Sequence, residues 1–230
     1  MDLQGFGHLL ISGTWITIQL AIASLLVGLV FGLMGAAAKL SDNRIARWLA
    51  TGYTTLVRGL PELLLVLAIY FGGAQILMWI AGWFGYDEFI EVGQFTAGVA
   101  ALSIAFGAYA TEVFRMAMLA IPKGQWEAGL ACGMSKPRTF FRIILPQVWR
   151  LAIPGLGNLF QVLLKDTALV SVVGLNDIMR QSQVAISSTK EPFTFFMVAA
   201  LIYLLLTAAA TSFTMLMERM SNPAARGNRS

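Results

Sequence analysis

Four ionisable side chains sit inside stretches of sequence that are otherwise apolar: Arg58, Glu62, Lys165 and Asp166. An Arg, Lys or Asp at the centre of a membrane helix costs about 2.5–3.5 kcal/mol on insertion scales, so such residues are functional candidates by default. Their formal charges cancel. A guanidinium such as Arg58 can hold a carboxylate through two parallel hydrogen bonds, while an acid such as Glu62 or Asp166 can face an ammonium group. A free amino acid offers both groups, so Arg58, Glu62 and Asp166 are the substrate-binding candidates. The competing reading makes the same three residues an internal salt-bridge cluster that ties two segments together. Arg58 and Glu62 are four apart, on one face of a continuous helix and able to pair. Pro61 beside them removes a backbone donor and leaves carbonyls free to face a cavity. Lys165 and Asp166 are adjacent, about 100° apart around a helix. One of them is expected to point inward and the other toward a partner chain or the outer interface.

Other chemistries are scarce. The single cysteine, Cys132, excludes an internal disulfide and a Cys-based zinc site, and the single histidine, His8, leaves no histidine-based metal set or triad. No nucleophile–base pair stands out, and no G-x-x-x-x-G-K-[ST] loop is present to cradle ATP phosphates. The chain is therefore expected not to be an enzyme and to carry no metal or cofactor of its own. If ATP drives it, ATP and Mg belong on another chain.

The elements that must position these charges follow from composition. Of 230 residues 57% are hydrophobic and only 12% charged, about half the charge of an average soluble domain. That excludes an ordinary cytosolic enzyme, a disordered tail and a nucleic-acid module, and leaves an all-α membrane protein. Stretches long enough to cross a bilayer run over 11–38, 48–80, 92–111, 151–175 and 192–217, the second interrupted by Arg58, Glu62 and Pro61. A single membrane domain is expected over 1–220, with a polar tail over 221–230. The loops then give the orientation. Twelve of the sixteen basic residues fall on one side if five spans alternate; the loop after the second span has Asp87, Glu88 and Glu91 and no base. Positive-inside places the N-terminus outside and the C-terminus in the cytoplasm. Glu112 and Arg115, at i and i+3, read as a structural pair, and Pro154, Gly155, Gly157 and Asn158 read as close helix packing. Trp79 and Trp83 read as interface anchors.

The loop over about 115–150 carries too many ordered signals for a simple connector. Pro122 suits the first turn of a short helix through Trp126, Glu127, Ala128 and Leu130. Gly133 fits a left-handed helix stop. Ser135 is placed to N-cap a second helix, with Pro137 in its first turn, that should end before Pro146. Its faces would carry Phe140, Ile143 and Ile144 on one side, and Arg138 with Arg142 on another. From the residues alone, a compact knob and an amphipathic helix lying on the membrane surface remain equal alternatives.

Glu127-Ala128-Gly129, Gly133 after three more residues, then Ile143, Leu145 and Pro146 at fixed spacing resemble the EAA loop of bacterial ABC importer permeases. The one departure is Gly129, where the pattern has a second Ala. The runs Ile121-Pro122-Lys123-Gly124-Gln125-Trp126-Glu127-Ala128, Val57-Arg58-Gly59-Leu60-Pro61 and Leu164-Lys165-Asp166-Thr167-Ala168-Leu169-Val170-Ser171 resemble the polar amino acid subfamily, with histidine/lysine/arginine/ornithine and opine permeases nearest in character. The resemblance covers nearly the whole chain. It implies an ABC importer permease fold with a cytoplasmic coupling helix pair, in the bacterial inner membrane. It also implies docking of a cytoplasmic ATPase dimer through Glu127, Ala128, Gly129 and Gly133. The remaining implied partners are a second permease (the same chain or a homologue), a periplasmic binding protein and an amino acid substrate. In the family the Arg of the R-G-x-P segment and the Asp166 position look like pocket positions. Leu60 stands where many relatives have Thr. Glu62 stands where many have an apolar residue, which leans toward a cationic substrate side chain. In asymmetric transporters one permease of the two can hold the pocket alone. The alternative function is a non-transporting structural subunit of a membrane complex; a stand-alone carrier is disfavoured by the small span number and the EAA-like loop.

Overall fold

The structure, a computed structural model, describes residues 5–83, 85 and 92–221. The acidic loop Asp87, Glu88 and Glu91 and the polar tail after Ser221 lie outside the described residues. Among the described residues every regular element is helical, and five runs are long and apolar enough to cross a bilayer. They are α1 (Gly7–Leu40), α3 (Glu62–Gly82), α4 (Gln94–Leu119), the continuous run Lys136–Val173, and α9 (Pro192–Ser221). The number agrees with the sequence; two of the boundaries do not.

The expected second span over 48–80 is two helices, α2 (Arg44–Gly59) and α3. Leu60 and Pro61 are extended, with ψ of 142° and 134°, because a proline keeps its predecessor out of the helical region. Only α3 is apolar enough to span. Asn43 starts α2, its side chain accepting from the backbone N–H groups of Ile45 and Ala46 at 2.9 and 3.3 Å, as an N-cap should. Ile45, Trp48, Leu49 and Leu56 are exposed, while Thr54 is buried against the bundle.

The second correction concerns Pro146. The helix expected to stop before it runs on through α6 (Lys136–Thr139), a π-helical turn (Phe140–Ile144), α7 (Leu145–Asp166) and a 3₁₀ segment (Thr167–Val173). The N–H of Leu145 donates five residues back to the carbonyl of Phe140. That wider turn sits where the Pro146 ring would otherwise press on the carbonyl of Arg142. The compact two-helix knob is therefore half right: its second helix is the foot of the fourth span.

The core forms where α1 lies on α4. Gly28, Gly32 and Gly35 present a bare stripe, and a Cβ at any of them would collide with Phe106, Ala110 or Thr111. Small residues let the two backbones approach, the usual means of joining helices in lipid. Gly155 and Gly157 do the same against Val113 and Thr214, as their sequence suggested. Leu20, Leu102, Phe114, Ile144, Val148 and Val170 fill the space between. By contrast Val66 is the one buried residue of α3, and Trp79 and Trp83 stand exposed together at its end with ring centroids 4.5 Å apart.

The short α8 (Ile178–Thr189) is fastened to α1 at a turn. Thr17 Oγ1 accepts from the N–H of Ile178 at 3.3 Å, and Asp177 caps α8 by accepting from the N–H of Arg180 at 2.9 Å. Asp177 is fully buried, and its second carboxylate oxygen has no partner among the described residues. Burial pushes its carboxyl up to about 6. The folded value lies above the unfolded one of about 3.9, so the stabilising proton is held fully below that pH. The stability is lost as pH rises from about 4 through about 6, by on the order of 2–3 kcal/mol. Asp177→Asn keeps a competent cap and should flatten this dependence. Thermal unfolding in detergent from pH 4 to 8 checks it, and a variant with the native pH slope would exclude Asp177 as its source.

Candidate functional site

A polar stripe on α2 turns toward α4. Arg47, Thr51, Thr54, Thr55 and Arg58 recur at helical spacing, and with Lys39 of α1 and Tyr109, Glu112 and Arg115 of α4 they line a cavity of about 730 Å³. Four cations and one acid face it. Glu112 binds Arg115 Nε at 2.8 Å and also pairs with Lys39. The Glu112–Arg115 pair was legible as i, i+3; Lys39 lies 73 residues away and gave no local signal.

Arg58, Glu62 and Asp166 come together around Tyr109, a residue the sequence reading missed. The guanidinium of Arg58 lies over the Tyr109 ring, 5.3 Å from its centroid. The Tyr109 hydroxyl donates to Glu62 Oε1 at 3.3 Å. Glu62, Tyr109 and Asp166 then share a small pocket of about 20 Å³ walled by Leu102, Phe106 and Leu163. The expected Arg58–Glu62 ion pair does not form: the break at Leu60 and Pro61 puts the two on different helices. Near these residues the ion pairs are those of Glu112 with Lys39 and Arg115. The salt-bridge cluster therefore has no geometric basis here. Asp166 is half-buried and turned to Glu62, while Lys165 is exposed, which separates the adjacent charges as helix geometry required. The signal for Tyr109 was present as the one tyrosine in an otherwise apolar span.

At the other functional candidate, α5 (Lys123–Ala131) ends as expected. Gly133 has φ +76°, the N–H of Met134 reaches the carbonyl of Gly129 at 3.1 Å, and that of Gly133 reaches Leu130 at 2.9 Å. This is a Schellman closure, and it needs the left-handed residue. Ser135 occupies the cap position of α6, though its side chain makes no capping bond. Glu127, Ala128 and Leu130 are exposed, whereas Gly129 is buried. Trp126 stacks on Phe140 at 6.2 Å, so α5 rides on the foot of the fourth span.

The departure at Gly129 has a steric cause. A Cβ there would lie 2.5 Å from Cγ2 and 2.9 Å from Oγ1 of Thr139, which is fully buried and bonded to the carbonyl of Ser135 at 3.2 Å. Gly129→Ala, which restores the resembled motif, should cost about 1–3 kcal/mol through overpacking. Adding Thr139→Ala should recover most of it. A detergent melting series on the two single variants and the double tests this, and no recovery in the double would refute the clash.

A bundle of membrane-crossing helices with a charged path and an exposed helical corner is the plan of a transport permease. Residues 25–226 match the family described as binding-protein-dependent transport system inner membrane component, and the chain belongs to that family. An octopine transport system permease protein of Rhizobium radiobacter is 43% identical over 95% of this chain and 92% of its own. A histidine/lysine/arginine/ornithine transport system permease protein of Salmonella typhimurium is 43% identical over 94% and 95%. An arginine ABC transporter permease protein of Haemophilus influenzae is 46% identical over 88% of each chain. Among solved structures, an amino acid ABC transporter crystallised with histidines superposes with a TM-score of 0.80, 32% identity, and 96% and 99% coverage. The MetNI methionine ABC transporter, at 18% identity and a TM-score of 0.77, shares the fold. The chain is thus an inner-membrane importer permease rather than a structural subunit, in line with the transport permeases named above.

Proposed function

We propose that this chain carries polar, and specifically cationic, amino acids from the periplasm to the cytoplasm, driven by ATP and Mg bound on a separate ATPase pair. The observation that carries the reading is the segregation of charge around Tyr109: two acids, Glu62 and Asp166, on one side and the guanidinium of Arg58 on the other. A cationic amino acid has the matching pattern, with its ammonium groups facing the acids and its carboxylate facing Arg58. Relatives named for histidine, lysine, arginine and ornithine, or for octopine, support that class.

The exposed face of Glu127, Ala128 and Leu130, with Gly129 and Gly133 fixing the corner, is the docking surface for the ATPase. The basic ends near Lys39, Arg47 and Arg115 face the cytoplasm, with the N-terminus outside and the C-terminus inside. Residues 1–220 act as one membrane domain, and a second permease, identical or homologous, completes the channel. A periplasmic binding protein delivers the substrate.

The test is reconstitution with the cognate ATPase, partner permease and binding protein, scanning amino acids for stimulated ATP hydrolysis. Cationic amino acids should stimulate most. A scan answered only by acidic or apolar amino acids, or by none, would overturn the assignment. In the same membranes, a reporter after Ser230 should be cytoplasmic and a cysteine placed at Glu91 should react from outside; reversed labelling would overturn the orientation.

A further inference from the structure

Two chambers meet at one side chain. Along α4, Leu102 and Phe106 wall the pocket of Glu62 and Asp166, while Glu112 and Arg115, further along the same helix, wall the large cavity. Tyr109 lies between them and lines both. The chambers differ sharply in size. The acid pocket, at about 20 Å³, has room for about one water, while the large cavity holds about 730 Å³. No amino acid fits beside Glu62 and Asp166 unless a wall moves. Of the walls, Tyr109 is the one tied to a charged group on each side: its hydroxyl to Glu62 and its ring face to Arg58.

We propose that Tyr109 is the partition and the cation-selecting residue of the path, and that Arg58 occupies the place of the substrate's cation while the path is empty. An incoming guanidinium or ammonium replaces Arg58 on the ring face of Tyr109, the residue whose hydroxyl is bonded to Glu62. The exchange is one cation for another, so it costs a cationic substrate little. A neutral substrate must break the Arg58 contact without replacing it. Arg58, exposed and with no ion pair among the described residues, is then free to turn to the substrate carboxylate. One arginine thus serves two states, and the separation of Arg58 from Glu62 by the Leu60–Pro61 break is what lets it move independently. This inference rests on the reading of Glu62 and Asp166 as the cation-facing acids.

The experiment uses the full complex in proteoliposomes and reads the ratio of kcat/KM for arginine over glutamine, together with assembly. Tyr109→Phe keeps the ring and should hold the ratio within about twofold. Tyr109→Leu removes the ring and should lower it about tenfold, within the range of measured cation–π contacts. If Tyr109→Leu fails to assemble, the same ratio in Tyr109→Met decides. Glu62→Gln is the internal control. A ratio lowered by Glu62→Gln but untouched by loss of the ring overturns the role of Tyr109 alone. A ratio untouched by Glu62→Gln overturns the acid-pocket reading and this inference with it.

Discussion

Arg58→Ala should abolish uptake of every substrate while leaving the protein at its normal level in the membrane. All amino acids share the carboxylate, so its holder cannot be spared for any of them. Glu62→Gln and Asp166→Asn should act selectively, because a desolvated hydrogen bond to a charged group contributes about 1.5–3 kcal/mol, or roughly 10- to 150-fold. Both positions are half-buried, which favours the lower end, about tenfold against cationic substrates and much less against neutral ones. The salt-bridge alternative forecasts the reverse. Each single change would strand a buried charge and lower abundance, and Arg58→Met with Glu62→Met would restore function. Arg58 is already exposed and unpaired by any acid among the described residues, so abundance should not fall. Uptake and membrane abundance measured together on these variants separate the two. Low abundance in the singles with recovery in the double would return the three residues to a structural role.

The second large effect is expected at Gly133. Its φ is +76° and a Cβ there would meet nothing within 4 Å, so any penalty comes from the backbone alone. A left-handed L-residue costs roughly 1–2 kcal/mol, and a β-branched one is a genuine outlier in that region. Gly133→Val should therefore break the closure at Met134 and Gly129 and reorient the exposed Glu127 and Ala128 relative to the fourth span. Driving a two-state transporter from 1:99 to 99:1 takes about 5.5 kcal/mol, and this corner is the proposed point of transmission. Uptake per ATP hydrolysed should fall at least about tenfold in a protein that still inserts and assembles. Gly133→Asn, which tolerates the left-handed region, should retain most of the coupling. Normal uptake by a stably expressed Gly133→Val complex would remove Gly133 from the coupling path.

The sequence by itself determined the features that depend on neighbours along the chain. The membrane class and the number of spans follow from apolar length, and the stop of α5 from a glycine where left-handed backbone is needed. The EAA-like motif follows from fixed spacing within twenty residues. Pro61 marked an interruption of the second span, and there one helix ends and another begins. The sequence went astray at the other proline. Pro146 was expected to stop a helix, and a π turn carried the helix past it. Local rules say what a proline forbids, while the packing around it selects among the ways of complying. Only the tertiary structure decided the composition of the site. Glu62 and Tyr109 are 47 residues apart, Lys39 and Glu112 are 73 apart, and Asp166 reaches Glu62 from another helix altogether. Those meetings depend on α1 and α4 closing along a stripe of glycines and on α2 and α7 packing beside them. Side chains from separate helices acquire a shared pocket only after the backbones have approached, and no pattern within one helix records how closely they do.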